Sequence, residues 1–351
     1  MVAVPAAPDR GFANFLSDTQ TRPSRAMLEA ALTAETGDEQ GFADPTTRAL
    51  EARVAELLGR EAAVFLPSGT MCNEIALAVH CRPGDEVICA ESCHLIEAEG
   101  GGPAALAGVM MRPVAAPRGI FGPEDVTAAL RWPSRYSPRS RLVAVEQTFN
   151  LLGGAVWPVE RLRAVAEAAR EAGLAVHMDG ARLMNAVVAS GRPAAEHAGV
   201  CDSAWLDLTK GLGCPVGAVL AGSQDFVAEA WRLKQRWGGA LRQSGVLAAM
   251  GLWALDHNVD RLADDHARAA RIAAALEGLP GVARVLPAET NIVIWDLAED
   301  GPDAETVAVA VKARGAIIGP LGPRRLRAVT HLDVDDAATD TLVAALRAEL
   351  G

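Results

Sequence analysis

Three segments carry residue types that could do chemistry together. Leu208-Thr-Lys-Gly-Leu-Gly-Cys-Pro215 places Lys210, one of only three lysines, after an apolar run and inside a glycine-rich turn. Burial of an ammonium frees its lone pair for attack on a carbonyl carbon, the first requirement of imine chemistry. A surface lysine in a turn is the alternative, but it leaves the apolar flanks and the glycines unexplained. Lys234 and Lys312 fall in helical stretches with charged neighbours and read as solvated. His177-Met-Asp-Gly-Ala-Arg182 puts Asp179 at the end of another apolar run, where a carboxylate needs a cationic partner. An internal pair with Arg182 is one way to supply it. Pro67-Ser-Gly-Thr-Met-Cys-Asn73 joins a third apolar run to a helix start. Its free N–H groups, two hydroxyls and helix dipole would cradle a phosphate, and the same Ser-Gly-Thr would serve as an ordinary N-cap.

One cofactor explains all three. Pyridoxal phosphate needs an anion cradle, a lysine to hold its aldehyde as an imine, and a carboxylate on its pyridine nitrogen to keep the ring an electron sink. Asp179 precedes Lys210 by 31 residues, room for one helix and one strand.

The elements that must position these segments follow from periodicity. Residues 46–58 space Leu50, Val54, Leu57 and Leu58 on one helical face and stop at Gly59. Short apolar runs at 62–66, 86–90, 141–145, 174–178, 203–208 and 216–221 read as strands, with helical stretches between them, as at 159–170. This alternation predicts an α/β fold: an open, mainly parallel sheet between helices, with its ligand beyond the carboxyl ends of the strands. From Gln243 the chain reads as helical, and a small α/β domain follows a boundary near residue 255.

Composition excludes several classes. The chain has 351 residues, 50% hydrophobic and 22% charged, enough for one large domain and a smaller one. A net charge of −11 disfavours nucleic acid and anionic membranes as partners. No apolar run is long enough for a bilayer span, and residues 1–10 lack a signal peptide's basic start and apolar core, so a cytoplasmic protein is expected. The six cysteines form no Cys-x-x-Cys pair and read as buried thiols; no metal is expected.

Longer motifs run through the chain in order: Leu16-Ser-Asp-Thr-Gln-Thr-Arg-Pro-Ser24, Asp44-Pro-Thr46, Pro67-Ser-Gly-Thr-Met71, Cys81-Arg-Pro-Gly-Asp-Glu86, Gly153-Gly-Ala-Val-Trp-Pro158, His177-Met-Asp-Gly-Ala-Arg-Leu-Met-Asn185, Thr209-Lys-Gly-Leu-Gly213, Leu241-Arg-Gln243 and Val329-Thr-His-Leu-Asp-Val334. In these the sequence resembles the low-specificity L-threonine aldolases, pyridoxal-phosphate lyases of the aspartate-aminotransferase-like fold (fold type I) in the β-eliminating lyase group. The resemblance implies an N-terminal arm (1–30) joining a small C-terminal domain (256–351), and a large cofactor-binding domain (31–255). It implies retro-aldol cleavage of L-threonine, L-allo-threonine and related β-hydroxy-α-amino acids to glycine and an aldehyde. A dehydratase or other β-eliminating lyase, or a transaldolase, would use the same electron sink.

Roles pass to matching positions. Lys210 would be the Schiff-base lysine, Asp179 the pyridinium partner, and His94 the residue that stacks on the ring and relays protons. Ser68, Gly69 and Thr70 would hold the phosphate, with Arg242 reaching it from a neighbouring subunit of a homotetramer, a dimer of dimers. Ser17, Arg182 and Arg327 would grip the substrate carboxylate, Arg182 also lying against the cofactor. Many family members read Glu-Asn-Thr-His-Asn where this chain has Glu146-Gln-Thr-Phe-Asn150. The resemblance therefore places Phe149 at a substrate-facing position where it can exchange no proton, leaving His94 as general base.

Overall fold

The computed structural model describes residues 11–351, which form two compact units: Thr21–Ala263, and Asp264–Gly351 with the chain up to Gln20. The larger unit is built on one seven-stranded sheet. Its strands are β1 (Ala62–Leu66), β2 (Glu86–Ala90), β3 (Met110–Val114), β4 (Ser140–Glu146), β5 (Ala175–Asp179), β6 (Ser203–Asp207) and β7 (Ala218–Gly222). Across the sheet the order is β1-β7-β6-β5-β4-β2-β3. Strands β6, β5, β4, β2 and β3 pair in parallel, and β7 is antiparallel to both β1 and β6. Two reversals restore direction, so β1 also ends at the edge where the parallel strands end.

Side-chain alternation covers both faces of this sheet. Val64 and Leu66 of β1, Trp205 of β6 and Ala218 and Leu220 of β7 join Ile75 and Phe226 in one apolar cluster. Their strand neighbours Phe65, Ala204, Leu206, Val219 and Ala221 point the other way, into a second cluster with Leu50, Val54 and Leu208. A period of two within strands buried on both sides explains why these runs read as continuously apolar.

Local chemistry sets the helix starts. Ser68 caps the helix Gly69–His80, its hydroxyl accepting from Met71 N at 3.2 Å. Asp44 caps Pro45–Leu57 and accepts the backbone N–H groups of Thr47, Gly37 and Gly245 at 2.9, 3.0 and 3.0 Å. Burial opposes its charge, yet the three N–H groups hold its carboxyl below the ordinary range. One side chain thus ties two neighbouring turns to Gly245, 201 residues away.

The smaller unit has a four-stranded antiparallel sheet of Val282–Val285, Ile292–Leu297, Gly319–Gly322 and Arg325–Val329. Trp295, Val307, Leu342, Leu346 and Phe15 form its core with the helices Ala304–Ala313 and Asp336–Leu350. Ala13–Asn14 pairs in parallel with Ala316–Ile317.

One expectation is overturned. Lys234 is not solvated: it is fully buried, with Nζ 2.9 and 3.0 Å from the two Glu39 carboxylate oxygens and 4.1 Å from the Trp231 ring centroid. On the helix Gln224–Arg236, the residues Phe226, Val227, Ala230 and Lys234 share the inward face. The lysine stem extends that apolar stripe. Its charge is met by a carboxylate 195 residues away, which no local pattern announces. Glu39 also accepts from the Ser244 hydroxyl at 2.8 Å and from Leu241 N. Burial lowers the ammonium's pKa even so, with the Glu39 charge opposing. Removing the carboxylate alone strands a buried cation, so Glu39→Ala should cost about 3–5 kcal/mol of stability in a urea titration. The double change Glu39→Gln with Lys234→Met should recover most of that loss.

Candidate active site

The informative side chains cluster where the strands end. Strand β5 ends on Asp179, directly opposite Glu146, the last residue of β4. Strand β6 ends on Asp207, and the turn that follows carries Lys210. Lys210 has a left-handed backbone (φ 51°), unusual for a residue with a side chain. Its ammonium forms an ion pair with Asp207, whose other oxygen accepts from Thr209 N at 2.8 Å and Thr209 Oγ1 at 2.6 Å. The lysine side chain keeps 16% of its surface exposed, so the amine is held yet reachable.

After β2, His94 opens the short helical turn His94–Glu97. Its backbone N–H donates to Glu146 Oε2 at 2.8 Å, and its Nδ1 lies 2.6 Å from Glu99 Oε1. A buried amide links this group to Asp179. Asn73 Nδ2 lies 2.9 Å from Glu99 Oε1 and 2.8 Å from Asp179 Oδ2. The Asn73 oxygen accepts from Trp205 Nε1 at 2.7 Å, which fixes which way the amide points.

Charge balance in the cluster is set by burial. Loss of water raises the Asp179 pKa, opposed by the His94 charge, the Asn73 amide and the Lys210 charge. Burial and the Asp179 charge push Glu146 up to about 7. For His94 burial acts downward, but the hydrogen bond to Glu99 and the charges of Asp179, Glu99 and Glu146 more than offset it, and its pKa is raised. The site therefore favours an imidazolium.

Ser68, Gly69 and Thr70 lie one helical turn before Asn73, at the start of Gly69–His80. There the first backbone N–H groups have no carbonyl in their own helix to bond. Arg182 is buried just before the helix Leu183–Ser190, its backbone N–H donating to Gln147 O at 3.0 Å. Arg242 lies on the exposed surface of this chain, paired with Asp38 at 2.9 Å. The Phe149 ring is only 1% exposed and packs against Gly119, where a methyl would overlap it. Ser17 and Arg327 belong to the smaller unit: Arg327 lies on Arg325–Val329 and donates to Leu16 O at 3.3 Å, and the Ser17 hydroxyl accepts from Thr19 N at 3.2 Å.

Asn73, Glu99 and Asp207 escaped the sequence reading as functional positions. Asp207 had a local signal, a carboxylate closing an apolar run three residues before the lysine. Asn73 and Glu99 had none: Asn73 meets Asp179 and Trp205 from other strands, and Glu99 meets Asn73 from a distant helix as well as His94 five residues before it.

The model of the beta-eliminating lyase family matches residues 14–300. The low-specificity L-threonine aldolase of Escherichia coli K12 is 42% identical over 319 residues, covering 91% of this chain and 93% of that protein. Low-specificity L-threonine aldolase 1 of Arabidopsis thaliana is 40% identical, covering 90% of each. Among solved structures, threonine aldolase from Leishmania major superposes with a TM-score of 0.83 at 22% identity, covering 96% of this chain and 99% of that one. Serine palmitoyltransferase from Sphingomonas wittichii follows at 0.73 and 18% identity, covering 97% and 86%.

Gly69 offers a direct check on the helix start. A methyl at this position would overlap the Trp205 ring, with Cζ3 at 2.6 Å, and that ring is pinned by its bond to Asn73. Gly69→Ala should therefore cost about 1–3 kcal/mol by overpacking. Thermal unfolding of the two proteins would read it.

Proposed function

Because the chain belongs to the β-eliminating lyase family and has the fold of type I pyridoxal-phosphate enzymes, we propose that it cleaves L-threonine, L-allo-threonine and related β-hydroxy-α-amino acids to glycine and an aldehyde. The observation that carries this reading is the meeting of Lys210, Asp179 and His94 at the carboxyl ends of one sheet, beside the helix start Ser68–Thr70. These residues fit pyridoxal phosphate. A buried carboxylate with raised pKa suits a pyridinium N–H, a largely shielded but still partly exposed lysine suits an aldehyde, and the N–H groups of a helix start suit a phosphate. When bound, the cofactor supplies an electron sink for the breaking Cα–Cβ bond.

The chain's own residues do the rest. Lys210 Nζ would hold the aldehyde carbon, Asp179 the ring nitrogen, and Ser68, Gly69 and Thr70 the phosphate. Arg182 would grip the substrate carboxylate, and fixing that group decides which Cα bond breaks. The same role for Ser17 and Arg327 rests on the family resemblance. His94 Nε2 would accept the β-hydroxyl proton, directly or through one water, as the aldehyde carbonyl forms. A homotetramer in which Arg242 serves a neighbouring subunit, and a cytoplasmic setting, are part of the same proposal.

Product analysis tests the reaction. Incubation with L-threonine or L-allo-threonine should release glycine and acetaldehyde; an oxo acid with ammonia would identify a dehydratase instead. Lys210→Ala should lose the yellow absorbance of the loaded protein. Only neutral imidazole accepts a proton, and the surrounding carboxylates hold His94 above its ordinary value. The pH profile of kcat/KM should thus rise through a midpoint above about 6.5. His94→Phe should remove that limb and lower kcat by roughly 10²–10⁴. A His94→Phe enzyme with near-native turnover would sink the assignment.

A further inference from the structure

Next to His94 lies Glu99, a carboxylate that the proposed reaction leaves unused, and a second such acid, Glu74, lies within reach of its charge. The Glu99 side chain is fully buried, and its Oε1 is shared by His94 Nδ1 at 2.6 Å and Asn73 Nδ2 at 2.9 Å. Its Oε2 has no hydrogen-bond partner among the described residues. Neither has either carboxylate oxygen of Glu74, a residue only 2% exposed on the helix Gly69–His80. A methyl on Gly102 would overlap the Glu74 carboxyl, and the Gly102 N–H bonds the Glu99 carbonyl at 2.9 Å. The Glu74 carboxyl therefore lies against the Gly102 backbone, within electrostatic reach of the Glu99 charge, and both acids are shielded from bulk solvent.

Two ionised carboxylates so buried would repel each other with little screening by bulk solvent. The three oxygens left unbonded make double ionisation costlier still, since each would forgo its hydration without replacement. Glu99 already faces two donors, so it is the better anion. Glu74 has none and is the better acid. Burial, with the Glu99 charge, pushes the Glu74 carboxyl up to about 8.

We propose that of these two acids Glu74 carries a proton and Glu99 does not, and that the ionised Glu99 is a positioning residue that fixes the His94 ring. With Glu99 ionised, the 2.6 Å contact must be an Nδ1–H donating to a carboxylate. That bond selects one tautomer and leaves Nε2 as the nitrogen able to exchange the substrate proton. Glu74 keeps the two acids at a single negative charge, so the imidazole meets one carboxylate from this side. Among the described residues, the carboxylates acting most strongly on His94 are then Glu99, Asp179 and Glu146, and the charge acting most strongly on Glu74 is that of Glu99. The positioning role rests on the proposed function of His94; the placement of the proton does not.

The test follows the His94 imidazole by nitrogen NMR in the full-length protein, with and without pyridoxal phosphate, its resonance assigned by its loss in His94→Phe. Glu99→Gln should lower the titration midpoint by about one pH unit or more and mix the two tautomers. The rising limb of kcat/KM should move down with it, with little change in KM for L-threonine, and Glu99→Asp should restore part of both. Glu74→Gln, which replaces a neutral acid by a neutral amide, should leave midpoint and tautomer nearly as they were. The opposite pattern, a large shift for Glu74→Gln and none for Glu99→Gln, would put the proton on Glu99 and overturn the proposal, as would no shift in either. Should Glu99→Gln fail to fold, infrared spectra decide. The carbonyl-stretch band of protonated carboxylic acids at neutral pH, to which Glu146 also contributes, should lose intensity in Glu74→Gln; a band left unchanged by that substitution refutes the proton on Glu74. A protein that releases no aldehyde from any β-hydroxy amino acid, but shows these shifts, would refute the proposed reaction alone.

Discussion

Taking the Asp179 carboxylate out of water is the constraint around which the larger unit is arranged. The residue ends a strand in the middle of a sheet covered on both faces, so bulk solvent cannot stabilise its charge. An uncompensated ion in such a place costs several kcal/mol. The fold answers with the Asn73 amide at 2.8 Å, the Ala181 N–H at 3.0 Å, and the positive charges of His94 and Lys210. Burial still prevails and the carboxyl stays above its ordinary pKa, which leaves it matched to one further positive partner. Asn73 can give its nitrogen to Asp179 and Glu99 because its oxygen is occupied by Trp205 Nε1 and His177 Nε2, at 2.7 and 3.2 Å. The indole that directs this amide is also the ring that requires glycine at position 69.

Two of the three lysines are drawn inward, and their surroundings separate them. Lys234 is enclosed by Glu39 and the Trp231 ring and has no exposed surface. Its ion pair joins the helix Gln224–Arg236 to a loop near the start of the unit, and an amine so enclosed cannot meet a small molecule. Lys210 has one carboxylate partner, the left-handed turn conformation that carries its side chain back toward Asp207, and a partly open surface. Reactivity follows access and the number of competing partners, not residue type alone.

The carboxylates are graded in the same way. Glu146 spends both oxygens on backbone N–H groups, those of His94 and Asn150, each at 2.8 Å. It orients the loops while burial and the Asp179 charge press it toward neutrality. Glu99 bonds a side chain that titrates, so its charge is felt at the imidazole. Asp207 is committed to Lys210 and Thr209. Each acid in the cluster differs by the donors that reach it.

The amino-acid sequence by itself determined what depends on near neighbours. Apolar runs of strand length, Ser68 at a helix start, and the glycine-rich turn after Leu208 need only local sterics and local hydrogen bonds, and all were legible. Lys210 and Asp179 could be named because they close or follow such runs, and His94 because long motifs resemble a known family. Tertiary structure alone decided which groups meet once the strands are side by side. It buried Lys234 on Glu39, joined Asn73 to Asp179 across 106 positions, and set Glu99 against the histidine with Glu74 within reach of its charge. Hydration loss and Coulomb interaction depend on distance in space, and the chain's order does not encode that distance until the sheet has formed.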